Sequence, residues 1–289
     1  MGLGGLYDAT NIAEAKVVGI TPISLEHTDK LGKTISKIAV QKCGVIKGRE
    51  YVVSAPQPRE AETVIAETVA DREAKLMIVG KDIRISERDH GPDYQKLDIK
   101  MPAGNYFDLT LHLLGQHQLE NAAQAVALAK GFEEKTRIKI TETAIRQGIV
   151  DVRWPGRMEK IGDRPAIVID GAHNRDSMRR LVLALGRHFH FAKLFVILGV
   201  SADKDLEGIL EELLPETQKL YATQSAHPRS LDARKIADAV EALGGEVILE
   251  KNFDKAFTRD SAEATVDDLI LVTGSLYLVA EAKKRVEGR

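Results

Sequence analysis

One short stretch near the middle of the chain places three chemically useful side chains on a single turn. Residues 165–174 read Pro-Ala-Ile-Val-Ile-Asp-Gly-Ala-His-Asn, which is typical of a buried parallel strand, and helical spacing begins at Asp176. Asp170, His173 and Asn174 therefore lie on a strand-to-helix turn. In an open α/β sheet such a turn lies at the carboxyl edge, where ligands bind, beside a helix N-terminus that attracts phosphate. The alternative is that Asp170 and Asn174 only cap the helix and that His173 is solvated.

The elements that position this turn belong to a regular second half of the chain. It begins after Trp154-Pro155-Gly156, which cannot continue a helix and therefore indicates a domain boundary. Predicted strands near 165–170, 194–200, 219–223, 246–249 and 269–273 alternate with predicted helices near 176–189, 205–213, 230–243, 253–263 and 276–286. Such βα units predict a parallel-type sheet with right-handed crossovers.

Four polar loops follow strands of this predicted sheet. They cover residues 170–174, 199–205, 223–229 and 273–277. The carboxyl ends of parallel strands lie at one edge of a sheet, so the four loops together predict a ligand site there.

The first half of the chain alternates less regularly. Strands at 17–20, 51–54 and 76–79 and helices over 34–47 and 58–70 are predicted to form a βαβ arrangement. Residues 80–105, broken by glycine and proline, predict an excursion or hairpin rather than core. A half-buried strand over 108–114 then leads into an alanine-rich helix with Asn121 in its first turn, followed by a helix near 141–148. The Asn121 amide either caps the helix or reaches a ligand.

Two side chains of the first half are candidates for metal chemistry. His27 lies two residues before Asp29, so it offers a metal ligand beside an orienting carboxylate, or else an ordinary surface hydrogen bond. Lys42 lies near the end of the helix predicted over 34–47, where a lysine usually extends to solvent. Residues 32–34 imitate the end of a Walker A phosphate loop, but the glycine required five positions earlier is His27, so the motif fails.

Composition limits the class of protein. The 289 residues are 44% hydrophobic and carry a net charge of −2, which allows two domains with real cores and suggests neither a nucleic-acid partner nor a membrane partner. The single cysteine, Cys43, excludes an internal disulfide framework and fits a reducing compartment. We find no apolar run near the roughly 20 residues of a membrane span and no signal-peptide pattern. The sequence thus predicts a soluble cytoplasmic protein.

Eight motifs, in this order, resemble those of folylpolyglutamate synthase and the bifunctional dihydrofolate synthase, members of the Mur ligase superfamily. They lie at residues 2–11, 20–32, 38–47, 117–123, 154–159, 170–174, 199–205 and 272–278, and include Trp-Pro-Gly-Arg-Met-Glu and Asp-Gly-Ala-His-Asn. The resemblance runs from residue 2 to about residue 284 and is specific in combination.

The resemblance implies an α/β fold in two parts. Residues 1–150 are expected to form a partial central ATPase domain of the Mur ligase type without its phosphate-binding loop, and residues 151–289 a Rossmann-like C-terminal ligase domain with a mostly parallel sheet. The family's Walker A loop, and a glutamate two residues before Gly2, have no counterpart in the sequence. We therefore expect an N-terminally truncated chain without ATPase activity by itself, because losing one preorganised donor typically costs about 10²–10³ in rate.

The implied activity is ATP-dependent ligation of L-glutamate to a folate or a pteroate. A carboxylate is a poor acyl donor, so ATP phosphorylates it first and the glutamate amine attacks the acyl phosphate. Mg²⁺ and the phosphate chain must then be held in line with the acceptor. The resemblance also implies a monomer.

Metal-binding and catalytic roles follow from motif position. His27 resembles the Mg²⁺ ligand, and Lys42 the lysine that such enzymes carry as a carbamate. A carbamate turns the cation into a carboxylate-like anion that can bind a metal ion. His173 is the third expected catalytic residue.

Nucleotide-binding roles come from both halves. Asn121 and Arg157 are expected to approach the nucleotide, with Arg157 on phosphate, while Asp170 takes the ribose hydroxyls and His173 the phosphates. Two domains that supply one site predict closure on ATP.

Two alternatives remain open. A Mur-type cell-wall amino-acid ligase shares the architecture but should carry different linker and C-terminal signatures. A non-catalytic nucleotide-binding or folate-binding module would show affinity without turnover.

Overall fold

The computed structural model describes residues 4–5, 8–25 and 31–288. The chain folds into two compact units. The first unit comprises Met1–Asp89, Gln95–His112 and His117–Val152, and the second comprises His90–Tyr94, Leu113–Gln116 and Arg153–Arg289. The functional division expected at residues 150 and 151 stays a prediction.

A parallel three-stranded sheet carries the first unit. Its elements are a 3-10 helix (Ala9–Ile12), β1 (Val17–Ile20), α1 (Ile35–Cys43), β2 (Tyr51–Ser54), α2 (Arg59–Asp71), β3 (Lys75–Ile78), α3 (Gln116–Thr136) and α4 (Glu142–Asp151). The strands are ordered β1-β2-β3, all parallel. Helix α1 begins where the Thr34 side chain accepts the Lys37 N–H and ends at Gly44, as its glycine predicts. The predicted βαβ arrangement is confirmed.

An antiparallel sheet follows in the same unit. It consists of β4 (Arg84–His90), β5 (Gln95–Met101) and β6 (Gly104–Leu111) in that order. The expected hairpin is confirmed, but the expectation that this segment lies outside the core is wrong, since Leu97 and Ile99 are fully buried. The breakers at 91–92 and 102–104 mark the ends of the strands and not their interiors, so they say nothing about burial between them. Asp98, also buried, is neutralised by Arg88.

A six-stranded sheet carries the second unit. Its strands are β7 (Glu159–Asp163), β8 (Ala166–Asp170), β9 (Leu194–Leu198), β10 (Lys219–Ala222), β11 (Val247–Leu249) and β12 (Leu269–Thr273), ordered β11-β10-β9-β12-β8-β7. All neighbours are parallel except β7, which pairs antiparallel with β8. The five parallel strands are confirmed as predicted, whereas the sequence interpretation missed β7. This short strand contains Gly162, which interrupts its pattern.

Helices cover both faces of this sheet. They are α5 (Arg175–His188), α6 (Leu206–Leu213), α7 (Ala233–Ala242), α8 (Phe253–Glu263) and α9 (Leu276–Glu287). Val168 packs with α5, α6 and α7, while its neighbour Ile169 packs with α8 and α9, because successive strand side chains point to opposite faces. The helices that follow the adjacent strands β8 and β12 therefore lie on opposite faces, an arrangement that opens a crevice at the carboxyl edge. Within the described ranges, no helix has the length and apolar character needed to cross a membrane.

Candidate functional site

Asp170 ends β8 and organises the loop that follows it. Its Oδ2 accepts the Met158 N–H at 2.8 Å and its Oδ1 accepts the Ala172 N–H at 2.7 Å. Burial raises the pKa of Asp170, and the two N–H groups together with Arg157 act against that rise. Each carboxylate oxygen thus binds one backbone N–H, and the ribose contact expected for Asp170 stays a prediction.

His173 presents one ring nitrogen away from the loop. Its Nδ1 lies 2.8 Å from the Gly171 carbonyl oxygen; because a carbonyl only accepts, Nδ1 carries the proton and Nε2 is left for another partner. His173 therefore lies, with a usable nitrogen, beside the N-terminus of α5, an environment that favours anions.

Asn174 caps that helix. Its Oδ1 accepts the Ser177 N–H at 2.8 Å, and Ser177 Oγ accepts the Asn174 N–H at 3.1 Å. This reciprocal pair is a capping box. The capping interpretation of Asn174 is confirmed, and the cap fixes the direction in which the helix N-terminus points.

Arg157 lies over the same loop. The guanidinium is half-buried and has no hydrogen-bond or ion-pair partner among the residues that the structure describes. A Cβ placed on Gly171 would lie 3.4 Å from its Nη1. An unpaired cation beside a helix N-terminus suits a phosphate group. The structure thus brings Arg157, Asp170 and His173 together in the second unit.

The other predicted loops lie at the same edge. The Gly274 N–H donates to the Ala172 carbonyl at 3.1 Å, and a Cβ at Gly274 would lie 2.7 Å from the Gly199 carbonyl oxygen. Next to them the rings of His227 and Tyr277 stack with centroids 3.7 Å apart. The expectation that the four polar loops share one edge is confirmed by the parallel pairing of β8, β12, β9 and β10.

Lys42 lies in the last turn of α1, in the first unit, and is half-buried. The Gly5 N–H donates to the Gln41 carbonyl at 2.5 Å, and a Cβ at Gly5 would lie 2.7 Å from both the Lys42 carbonyl oxygen and the Val45 nitrogen. Only glycine allows the N-terminal loop this close to the helix end. The metal-binding and carbamate roles expected for Lys42 stay predictions.

The expected metal site is not assembled by the described part of the chain. His27 lies outside the described residues. Within those residues no group of three or more His, Cys, Asp or Glu side chains is arranged to hold a metal ion. The Mg²⁺ roles expected for His27 and Lys42 therefore stay predictions.

Asn121 differs from its predicted setting. Helix α3 begins at Gln116, so Asn121 lies in the second turn and does not cap the helix. It is exposed, and its Nδ2 donates to Gln118 Oε1 at 3.0 Å. Its nucleotide role stays a prediction.

Gln124, one turn further along α3, is a residue that sequence reasoning missed. It is buried and donates from Nε2 to the carbonyl oxygens of Ile20 at 2.9 Å and Val53 at 2.8 Å. Those carbonyls lie at the carboxyl ends of β1 and β2. The available signal was a glutamine within an alanine-rich stripe, where an amide must find partners once buried.

The second unit contains a known kind of domain. A family model described as the Mur ligase, glutamate ligase domain matches residues 156–276, a range that includes Arg157, Asp170 and His173. The fold and the site loops are thus those of a Mur-type ligase domain.

Comparison of the whole chain with known proteins identifies the family within the Mur ligases. The chain is 33% identical to the folylpolyglutamate synthase of Lacticaseibacillus casei over 100% of this chain, and 28% identical to the dihydrofolate synthase/folylpolyglutamate synthase of Bacillus subtilis over 99% of it. It spans 66% of the length of each of these relatives. A solved structure described as Mycobacterium tuberculosis folylpolyglutamate synthase complexed with ADP matches with a TM-score of 0.91 and 30% identity, covering 100% of this chain and 67% of that one. The chain belongs to the folylpolyglutamate synthase family of Mur ligases, and the resemblance seen in its motifs is confirmed.

Proposed function

We propose that this protein acts in the ATP-dependent ligation of L-glutamate to a folate or pteroate through an acyl phosphate. The observation that carries the proposal is the Arg157 guanidinium, which has no hydrogen-bond or ion-pair partner among the described residues. It lies against Gly171, whose carbonyl binds Nδ1 of His173, within a Mur ligase domain. The solved relative that supports ATP as cofactor is described as an ADP complex.

Arg157 and His173 bind phosphate in this proposal, and Asp170 positions them. Arg157 binds a phosphate as a bidentate cation. His173, with its proton held on Nδ1 by the Gly171 carbonyl, offers Nε2 to the same phosphate chain. Asp170 keeps both groups in place through its two backbone N–H bonds. A rigid arrangement of this kind is what in-line phosphoryl and acyl transfer needs.

Several further parts of the proposal come from motif position. Mg²⁺ is the second cofactor, with His27 and Lys42 as its protein ligands. Asn121 contacts the nucleotide. Residues 1–150 are assigned to a partial central ATPase domain without its phosphate-binding loop, and residues 151–289 to the C-terminal ligase domain.

The cellular setting belongs to the same proposal. We place the protein in the cytoplasm, as a monomer without nucleic-acid or membrane partners. Support comes from the near-neutral charge and from Cys43, which is buried and whose thiol pKa burial raises to about 11. A protonated, buried thiol is unreactive and suits a reducing compartment.

Calorimetric titration of the chain with ADP and Mg²⁺ tests the nucleotide site. Arg157→Ala is expected to weaken ADP binding about tenfold or more, in line with the loss of one charge-assisted bidentate contact. Arg259→Ala is the matched control, because Arg259 lies on α8 and pairs with Glu250 at 3.8 Å. Equal affinity of the Arg157 and Arg259 variants would contradict the proposed role of Arg157.

A coupled assay with ATP, L-glutamate and dihydropteroate or tetrahydrofolate tests the reaction itself. Glutamate-dependent and pterin-dependent phosphate release supports the ligase proposal. Such turnover would also contradict the expectation that the chain has no ATPase activity by itself. ADP affinity without turnover agrees with that expectation and is equally the result expected of a nucleotide-binding module, whereas absence of ADP affinity would overturn the proposal.

A further inference from the structure

The turn that carries Arg157 is held on both sides by carboxylates. The Gly156 N–H donates to Glu159 Oε2 at 2.8 Å, and the Met158 N–H donates to Asp170 Oδ2 at 2.8 Å. The two residues that flank Arg157 are therefore each fixed through their backbone. The Arg157 side chain between them has no partner of its own among the described residues.

Glu159 is itself held from another element. Its second oxygen, Oε1, accepts a hydrogen bond from Lys283 Nζ of α9. Both side chains are mostly buried, with 28% of Lys283 and 27% of Glu159 exposed. Glu159 thus connects α9 to the turn, and each of its oxygens has a separate partner.

The backbone of this turn needs such support. Gly156 has φ +70 and Met158 has φ +44, and a left-handed conformation is costly for a non-glycine residue. A Cβ at Gly156 would lie 2.8 Å from Cγ1 of Val279 on α9, so the turn is pressed against that helix. The carboxylate bonds offset the strain and select one conformation of the turn.

We propose that Glu159, held by Lys283, is a positioning residue for Arg157. By accepting the Gly156 N–H it presents the guanidinium at the edge where His173 lies. This inference rests on the proposed function in one respect, that Arg157 binds a nucleotide phosphate. The role of Glu159 is geometric, and it does not touch the nucleotide.

A comparison of two substitutions separates geometry from charge. Glu159→Ala removes the acceptor, whereas Glu159→Gln keeps an oxygen that can accept the Gly156 N–H. If Glu159 acts by position, ADP affinity falls about tenfold in Glu159→Ala, which corresponds to about 1.4 kcal/mol, and stays within about threefold of the wild type in Glu159→Gln. If Glu159 acts only through its negative charge, both variants shift affinity equally, which would overturn the inference.

A control variant and a double-mutant cycle with Arg157 complete the binding test. Glu263→Ala breaks a similar ion pair on α8, with Lys219 at 2.8 Å, and is expected to leave ADP affinity unchanged. In an Arg157→Ala background, Glu159→Ala should cause no further loss, because it acts through Arg157. A full tenfold loss that persists in that background would overturn the inference.

Hydrogen exchange of the Gly156 amide tests the inference without any nucleotide. Glu159→Ala should speed exchange of the Gly156 amide at least tenfold while Glu159→Gln protects it, and Lys283→Met should give an intermediate effect. Unchanged protection in Glu159→Ala would overturn the inference. A wild-type chain that binds no ADP would contradict the proposed function instead, and the exchange result would still decide the role of Glu159.

Discussion

Two buried aspartates of the second unit have opposite surroundings. Asp170, at the end of β8, gives each of its oxygens one backbone N–H. Asp260, on α8, is fully buried, and neither of its oxygens has a hydrogen-bond partner among the described residues. Both carboxyl groups are buried, so the difference between them lies in the hydrogen-bond donors that surround each one.

The two environments also differ in what opposes the rise in pKa that burial causes. Burial, with a smaller contribution from Glu263, raises the pKa of Asp260 from its ordinary value of 3.8 to about 8, and Lys219 acts weakly against this. Asp260 is therefore a neutral acid at pH 7. Burial raises the pKa of Asp170 as well, but two N–H groups and Arg157 favour its ionised form. Hydrogen-bond donors thus oppose the effect of burial at Asp170, whereas Asp260 has none among the described residues.

The largest expected effect is at Asp170. Asp170→Ala leaves two buried N–H groups without an acceptor, and we expect the free energy of unfolding to fall by about 3 kcal/mol, since each orphaned group costs about 1–3 kcal/mol. Asp170→Asn keeps one acceptor and should lose about half as much. Urea unfolding measures both. Wild-type stability in Asp170→Ala would remove the contrast with Asp260.

A glycine pair tests whether backbone contacts build the edge. Gly274 has φ +103, and a Cβ there would meet the Gly199 carbonyl oxygen at 2.7 Å. Gly274→Ala should therefore lower the free energy of unfolding by about 2 kcal/mol, because backbone strain and the steric clash act together. Gly244, with φ +77 and nothing within 4 Å of a Cβ, is the matched control and should show only the smaller strain cost. Equal thermal shifts in the two variants would show that the edge is not closely packed.

The smallest effect, taken over a single pH unit, concerns the pH dependence caused by Asp260. Because its pKa of about 8 in the folded protein lies above the unfolded value, the folded state binds an extra proton between about pH 4 and pH 8. Stability from this group is present at low pH and is lost as pH rises through that window, by at most about 1.4 kcal/mol per unit. Asp260→Asn should remove this slope. The free energy of unfolding of the variant should therefore rise relative to that of the wild type between pH 6 and pH 7.

Urea unfolding at pH 5, 6, 7 and 8 measures that slope in both proteins. Parallel pH profiles for the wild type and Asp260→Asn would mean that Asp260 is ionised in the fold. Burial without donors would then not be enough to keep Asp260 protonated.

Much of the second unit could be predicted from the chain itself. The apolar runs of its five parallel strands, the helical spacing between them and the polar residues after each strand are local features. They indicated the sheet, the edge that its four polar loops share and the capping role of Asn174. The family was visible for the same reason, since its motifs are short runs of adjacent residues.

Other features depended on partners distant in sequence. Strands β7 and β5 form by pairing with neighbouring strands. Glycine and charged residues interrupt the alternating apolar pattern in these segments, so the local sequence does not predict the two strands or the burial of β5. Gln124 is an ordinary helical residue until the ends of β1 and β2 meet it.

The chemistry of the site shows the same division. Sequence alone placed Asp170 and His173 on one strand-to-helix turn, because that turn is a local pattern, and Arg157 was added by the resemblance of its motif to those of the family. Only the tertiary structure decided that Asp170 holds the Met158 N–H, that Glu159 holds the Gly156 N–H and that no described residue pairs with Arg157. The physical reason is that a buried polar group is defined by the donors and acceptors that folding brings to it, and these come from other elements of the chain.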